Sequence, residues 1–327
     1  MNKDFKHIPK EQRKKILLVC DDIRVNSGVA TVAKEIVVHT AHHFNWVNVA
    51  GAIQHPEKGK VLDISTATGK EADISDADVK LYCVDGYAQS IELQQILNIE
   101  KPDAVMLITD PRYFKHIFNM EDTIRKQCPL VYLNIWDDYP APMYNKPYYE
   151  ACDLLMGISK QTVNINKLVL ADCDNSKRVF KYIPHGLNHK EFYPIGKDHS
   201  EYEPLQQFRT NLVGDNVDYV MFFNSRNIRR KQIPDTMLAF RSFLDSLPKE
   251  KADKCRLVLH TELVTDHGTD LGAVAEYLFG ETYENNIIFS HQKLSRKQLN
   301  WLYNIADLQV LITSNEGWGL TVTEAML

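Results

Sequence analysis

Nowhere in the 327 residues do eighteen apolar residues run together, so the sequence offers no candidate membrane-spanning helix. The opening stretch MNKDFKHIPKEQRKK is polar and charged, with no apolar run of secretory type behind it. The six cysteines (Cys20, Cys83, Cys128, Cys152, Cys173 and Cys255) form neither a C-x-x-C pair nor a Cys/His ligand pattern, so no zinc site or disulfide framework is expected. Buried thiols in a reducing cytosol fit this usage better, and a cytoplasmic location is the expectation. An excess of one charge is also lacking. Thirty-eight Lys and Arg against 43 Asp and Glu give a net charge of −5, which supplies no global pull toward nucleic-acid backbones or anionic membranes. No Walker A pattern, H-E-x-x-H or G-x-S-x-G occurs, removing several enzyme classes. Internal repeats and low-complexity tracts are absent as well.

What is present is an alternation of short apolar runs with helical periodicity. KILLVC (Lys15 to Cys20) reads as a strand, and Val29, Val32, Ala33, Ile36 and Val37 then fall at helical spacing. Further strands are expected at Trp46 to Ile53, Val79 to Val84, Asp103 to Thr109 and Leu130 to Trp136, with helices such as SIELQQILNIE, which ends before Lys101 and Pro102. Strands that are apolar throughout and alternate with helices imply a parallel sheet covered on both faces. A polar stretch from Phe192 to Pro204 interrupts the pattern, placing a domain boundary at residues 200 and 201. The alternation restarts with Tyr219 to Asn224, the helix IPDTMLAFRSFLDSL, Cys255 to Thr261, NIIFS, the helix LSRKQLNWLYNIA and a strand from Leu308 to Thr313. The expectation is an α/β protein of two Rossmann-like, doubly wound domains, 1–200 and 201–327, facing a cleft that forms the natural active site.

The most informative segment is SNEGWGLTVTEAML. Glu316 precedes Gly317, Trp318 and Gly319, and Glu324 lies in the helix that starts near Leu320. Glycines let a backbone approach a ligand closely, and a helix start favours phosphate. Glu316 can accept hydrogen bonds from sugar hydroxyls, and Glu324 can take a ribose, as acidic residues do in dinucleotide folds.

This spacing resembles the E-x7-E signature of glycosyltransferase family 4, a family of retaining enzymes with the GT-B fold. Three other segments resemble the same family in the same order. Ile183 to Pro194 matches its P-N-G-V-D-x-x-x-F-x-P segment, placing His185 and Gly186 by the donor. Phe222 to Phe240 matches the R-x4-K segment, placing Arg226 and Lys231 on the donor diphosphate, whereas Arg229 and Arg230 read as solvent-facing. Val25 to Ile36 matches the glycine-containing loop before the first helix, with Gly28 where many members have two glycines.

The resemblance, running from about residue 15 to the end, implies a retaining, metal-independent transfer of sugar from a nucleotide-diphosphate donor, with no cofactor. Residues 1–200 would take the acceptor and 201–327 the donor. The catalytic residues would be Glu316, Arg226, Lys231 and Asp137. The donor would be bound by Gly28, His185, Gly186, Arg226, Lys231, Glu316, Gly317, Trp318, Gly319, Leu320 and Glu324. Many members carry a His-Asp pair where this chain has Trp136, Asp137 and Asp138, so either the alignment slips there or Asp137, Asp138 and the aromatic face position the sugar differently. A tryptophan can neither transfer a proton nor accept a hydrogen bond. The runner-up reading is a non-catalytic module that binds a nucleotide sugar or glycan. Glycan, glycolipid, protein and modified nucleic acid all stand open as acceptor, as do donor identity and oligomeric state. Asp172 and Asp174 in ADCDNS read as a solvated turn rather than a metal ligand pair. Family members continue past E-A-M, so the donor domain is expected to be incomplete at Leu327.

Overall fold

The first apolar run forms β1 (Lys14–Asp21), whose Leu17, Leu18, Val19 and Cys20 are wholly buried. A strand buried on both faces belongs in the middle of a covered sheet. In the computed structural model, which describes residues 7–52 and 54–327, β1 pairs in parallel with β2 (Phe44–Ala52) on one side and β5 (Ala104–Ile108) on the other. The remaining strands are β3 (Val61–Asp63), β4 (Val79–Asp85), β6 (Leu130–Asn134), β7 (Leu154–Gly157) and β8 (Val179–Tyr182). The order across the sheet is β3-β4-β2-β1-β5-β6-β7-β8, parallel throughout except for β3 against β4. Ile53, expected at the end of a strand, lies outside the described residues.

Helix Gly28–Thr40 starts where Ser27 accepts a hydrogen bond from the Ala30 amide, the usual role of a serine at that position. Its buried face is Ala30, Val32, Ala33, Val37 and Val38. Helix Ser90–Glu100 buries Leu93, Ile96 and Leu97 and stops at Lys101, whose φ of 45° is left-handed, with Pro102 barring continuation.

A second sheet has the order β11-β10-β9-β12, wholly parallel, from β9 (Tyr219–Asn224), β10 (Cys255–His260), β11 (Ile287–Phe289) and β12 (Leu308–Gln309). Helix Ile233–Asp245 packs Ile233, Met237, Phe240 and Leu244 into the same core as Phe223, Leu257 and Leu259. These four side chains recur at helical spacing, and each contributes on the order of 1.5–3 kcal/mol by leaving water. The C-terminal strand is shorter than the run Leu308 to Thr313 suggests. Val310 still donates its amide to Phe222, but Thr313 and Ser314 have turned away to bond the Arg230 carbonyl.

The chain separates into two compact units, Met1–Gly186 and Leu187–Leu327, so the change comes earlier than residue 200. Two asparagines one turn apart on helix Arg296–Ile305 account for the shift. Asn300 accepts from the Tyr193 amide at 3.2 Å, Asn304 accepts from the Ile195 amide at 2.7 Å, and both donate to the Tyr193 carbonyl. Residues from Leu187 onward therefore belong with the second sheet. A helix Tyr202–Val213 also occupies part of the stretch that reads as linker. No described helix is long and apolar enough to cross a membrane.

Candidate functional site

In a parallel sheet, ligands gather at the carboxyl ends of the strands, where neighbouring connections depart in opposite directions. In the second unit that point lies between β9, the first strand in sequence, and β12, the fourth. The loops after these two strands carry Arg226, Lys231, Glu316, Gly317, Trp318 and Gly319 among the residues singled out from sequence.

Lys231, in the short turn Arg229–Lys231 after β9, forms an ion pair with Glu316, in the loop after β12. The Lys231 side chain is 8% exposed and that of Glu316 26%, so the pair is sheltered on the lysine side and open on the carboxylate side. Arg230 completes the cluster. Its Nη1 donates to the Asn315 carbonyl at 2.7 Å and reaches Glu316 Oε2 at 3.3 Å. Arg230 is thus no solvent-facing bystander; the turn brings it onto the same carboxylate as Lys231. Arg229 is exposed, as its sequence context suggests. Arg226 is exposed in the loop after β9 and makes no ion pair among the described residues.

Gly319 has a φ of 81°, a left-handed conformation that glycine adopts without strain. It precedes helix Leu320–Ala325, which carries Glu324. Gly317 and Trp318 are half-buried in the same loop. Glu324 is buried and accepts a hydrogen bond from the Tyr303 hydroxyl at 2.7 Å; that hydroxyl in turn receives one from Asn224, the last residue of β9, at 3.0 Å. Burial pushes the Glu324 carboxyl above its ordinary value, more than the Tyr303 hydrogen bond and the nearby Arg296 lower it. Tyr303 is itself fixed by edge contacts with Phe192 and Phe222.

Sequence reasoning missed Asn227. Its buried side chain donates to the carbonyls of Glu262, Leu263 and Thr269 and accepts from the Thr269 amide, organising the loop after β10. Gly268 packs so tightly on it that an added Cβ would lie 2.5 Å from the Asn227 Cγ. His260 at the end of β10 donates from Nδ1 to the Ser290 carbonyl at 2.7 Å, tying the loops after β10 and β11.

The other named residues lie in the first unit. Gly28 opens its helix behind Ser27, which donates to Asp21 at 2.6 Å. His185 and Gly186 follow β8, and desolvation lowers the His185 imidazole to about 4. Asp137 is half-buried after β6. Beside it, Trp136 is fixed by its indole N–H, which donates to the Asp138 carbonyl at 3.0 Å, and by an edge contact with Tyr144; the Arg112 guanidinium lies 5.9 Å from its ring centre. Asp172 pairs with Lys146 at 2.7 Å, and Asp174 accepts the Ser176 amide, as befits a turn.

At the carboxyl end of β1 stands a cluster that the sequence analysis did not single out. Asp22 is buried between Arg24, at 2.7 Å, and His55 Nε2, at 3.0 Å, while Arg24 continues to Glu57 at 2.9 Å. His55 Nδ1 accepts from the Glu57 amide, so Nε2 carries the proton and donates to Asp22. Burial raises the Asp22 carboxyl, but the bonds from Arg24 and His55 outweigh it, and the net shift is downward. D-D-x-R directly after a strand was the available signal; its partner His55, thirty-three residues away, had none.

No protein-family description matches the sequence. No curated protein sequence matches it either. Solved structures do match the fold. HepE from Anabaena, in complex with UDP and glucose, superposes with a TM-score of 0.66 at 14% identity, over 96% of this chain and 78% of that one. A trehalose-6-phosphate protein from E. coli bound with UDP-2-fluoro glucose gives 0.67 at 14% identity, over 95% and 81%. The UDP-forming α,α-trehalose-phosphate synthase of Burkholderia xenovorans, in complex with glucose-6-phosphate, gives 0.69 at 12% identity, over 95% and 82%. At such identities the likeness is one of fold: the chain shares the GT-B fold of these structures, with two Rossmann-like units.

Proposed function

We propose that this chain is a retaining glycosyltransferase that moves a sugar from a nucleotide-diphosphate donor to an acceptor, without a metal ion. The observation that carries the reading is the convergence of Lys231, Arg230 and Glu316 from two separate loops onto the switch point of the second sheet. A diphosphate needs fixed cations as negative charge builds on the departing nucleotide. Lys231 supplies one, and Arg226, exposed on the same loop, supplies another. Glu316 then turns to the hydroxyls of the transferred sugar, and Glu324, held by Tyr303, takes the ribose. The neighbouring structures that contain UDP and glucose or a UDP-sugar add support from the same fold.

In the first unit, Asp137 and the Trp136 face would meet the sugar or acceptor, and His185, kept neutral by desolvation, would serve as a hydrogen-bonding group rather than a cation. In the retaining route that the resemblance implies, the donor's own phosphate helps to take the acceptor proton.

The test is nucleotide release from a panel of UDP-, GDP- and ADP-sugars, with EDTA present and absent and the anomeric configuration of product read by NMR. Release from one donor, unaffected by EDTA and abolished by Glu316→Ala, is expected. If every donor is left intact and Glu316→Ala changes no binding, the reading fails. Donor binding without turnover would instead mark a binding module.

A further inference from the structure

The geometry points to Arg230 as a positioning residue that sets the place of Glu316 and so selects the sugar end of the donor. The inference rests on the donor reading of this site. Arg230 is bonded to the opposite loop through both its backbone and its side chain. Its carbonyl accepts the Ser314 amide at 2.9 Å and the Thr313 hydroxyl at 3.0 Å. Its guanidinium donates to the Asn315 carbonyl at 2.7 Å and touches the Glu316 carboxylate at 3.3 Å. Three consecutive residues before Glu316 are therefore tied to this one side chain and its own carbonyl. A guanidinium suits the task, because the two N–H bonds of Nη1 are fixed in its plane and reach a carbonyl and a carboxylate together.

Lys231 bonds the Glu316 carboxylate through its Nζ. The two cations thus divide the work: Lys231 balances charge, and Arg230 fixes the backbone that presents it. An arginine that met the diphosphate directly would govern nucleotide affinity. An arginine that places Glu316 governs the difference between a nucleotide sugar and its bare nucleotide.

The experiment compares the wild type with Arg230→Ala and Arg230→Lys in the full chain. Hydrogen exchange of residues 313–319 is measured without ligand, and binding of UDP and of UDP-glucose is measured by calorimetry. In Arg230→Ala the segment is expected to exchange about tenfold faster while β9 stays protected, as loss of one charge-assisted bond implies. UDP-glucose affinity is expected to fall about tenfold more than UDP affinity in both variants, since lysine restores the charge but not the fixed planar geometry of the donors.

Equal losses for UDP and UDP-glucose, restored by lysine, would overturn the proposal and make Arg230 a phosphate ligand. Unchanged exchange at 313–319 would overturn it as well. If neither probe binds the wild type, the donor reading fails for UDP-sugars, and the exchange arm still decides whether Arg230 holds the loop.

Discussion

Replacing Glu316 with glutamine should make the protein bind a bare diphosphate more tightly. In the ligand-free chain the Lys231 ammonium is matched by the Glu316 carboxylate, so an incoming diphosphate competes with a charge already in place. Two unit charges at about 4 Å attract by about 4 kcal/mol at an effective dielectric near 20. Glu316 keeps 26% of its side chain exposed, and desolvation and screening reduce the net coupling to about 1–2 kcal/mol. Glutamine keeps the shape and removes the competing charge. Pyrophosphate and UDP are therefore expected to bind about 5–30-fold more tightly to Glu316→Gln, the factor that 1–2 kcal/mol represents. UDP-glucose should gain nothing or lose affinity, because its hydroxyls lose a charged acceptor. Titration calorimetry at low and high salt reads both effects, and the gain for pyrophosphate should shrink as salt rises. Pyrophosphate binding Glu316→Gln no better than the wild type at low salt would refute the argument.

Three further outcomes are expected. Glu324 is raised by burial, so the folded state holds its proton more firmly than the unfolded chain. Its contribution is most favourable below the ordinary glutamate value of about 4.3 and declines as pH rises through the folded value. Glu324→Gln should therefore gain stability relative to the wild type between pH 4 and pH 7.5 in urea titrations while weakening nucleotide binding; a difference that does not grow with pH counts against the assignment. Asp22 is net lowered by Arg24 and His55, so the sign reverses: its stabilisation is present above the ordinary aspartate value of about 3.9 and lost as pH falls through the folded value. Asp22→Asn should cost more at pH 7 than at pH 3, and equal costs at the two pH values would contradict this. Asn227→Ala removes four side-chain hydrogen bonds, a loss of about 2–4 kcal/mol in unfolding free energy, and a loss under about 1 kcal/mol would show that the loop after β10 stands without it.

The central strands were legible because burial on both faces leaves an unbroken apolar run: β1, β9 and β10 sit where their sequences place them. β3, β7 and β8 were harder to see. β8 is largely exposed and reads VFKY, and β3 is three residues of antiparallel edge. The boundary was misplaced because Tyr193 and Ile195 are held by asparagines more than a hundred residues away. The same physics hid Arg230. From sequence it belongs to a basic run, and only the fold brings a residue 86 positions distant onto its guanidinium. Glu316, Lys231 and Glu324 were singled out through short segments that resemble a family's motifs, and each such segment spans one loop or helix; the Asp22–His55 pair has no such local signature.

The loop that follows β9 is bonded on both flanks, through Asn227 to the loop after β10 and through Arg230 to the loop after β12. It is the link between the two neighbouring loops, and lengthening it would break both sets of bonds at once. The loop after β11 is joined to its neighbour through His260 and Ser290. Insertions are best tolerated where few bonds cross. Diversification by insertion should therefore fall on the segment after Ser290, leaving the loop after β9 and the residues it carries at fixed length.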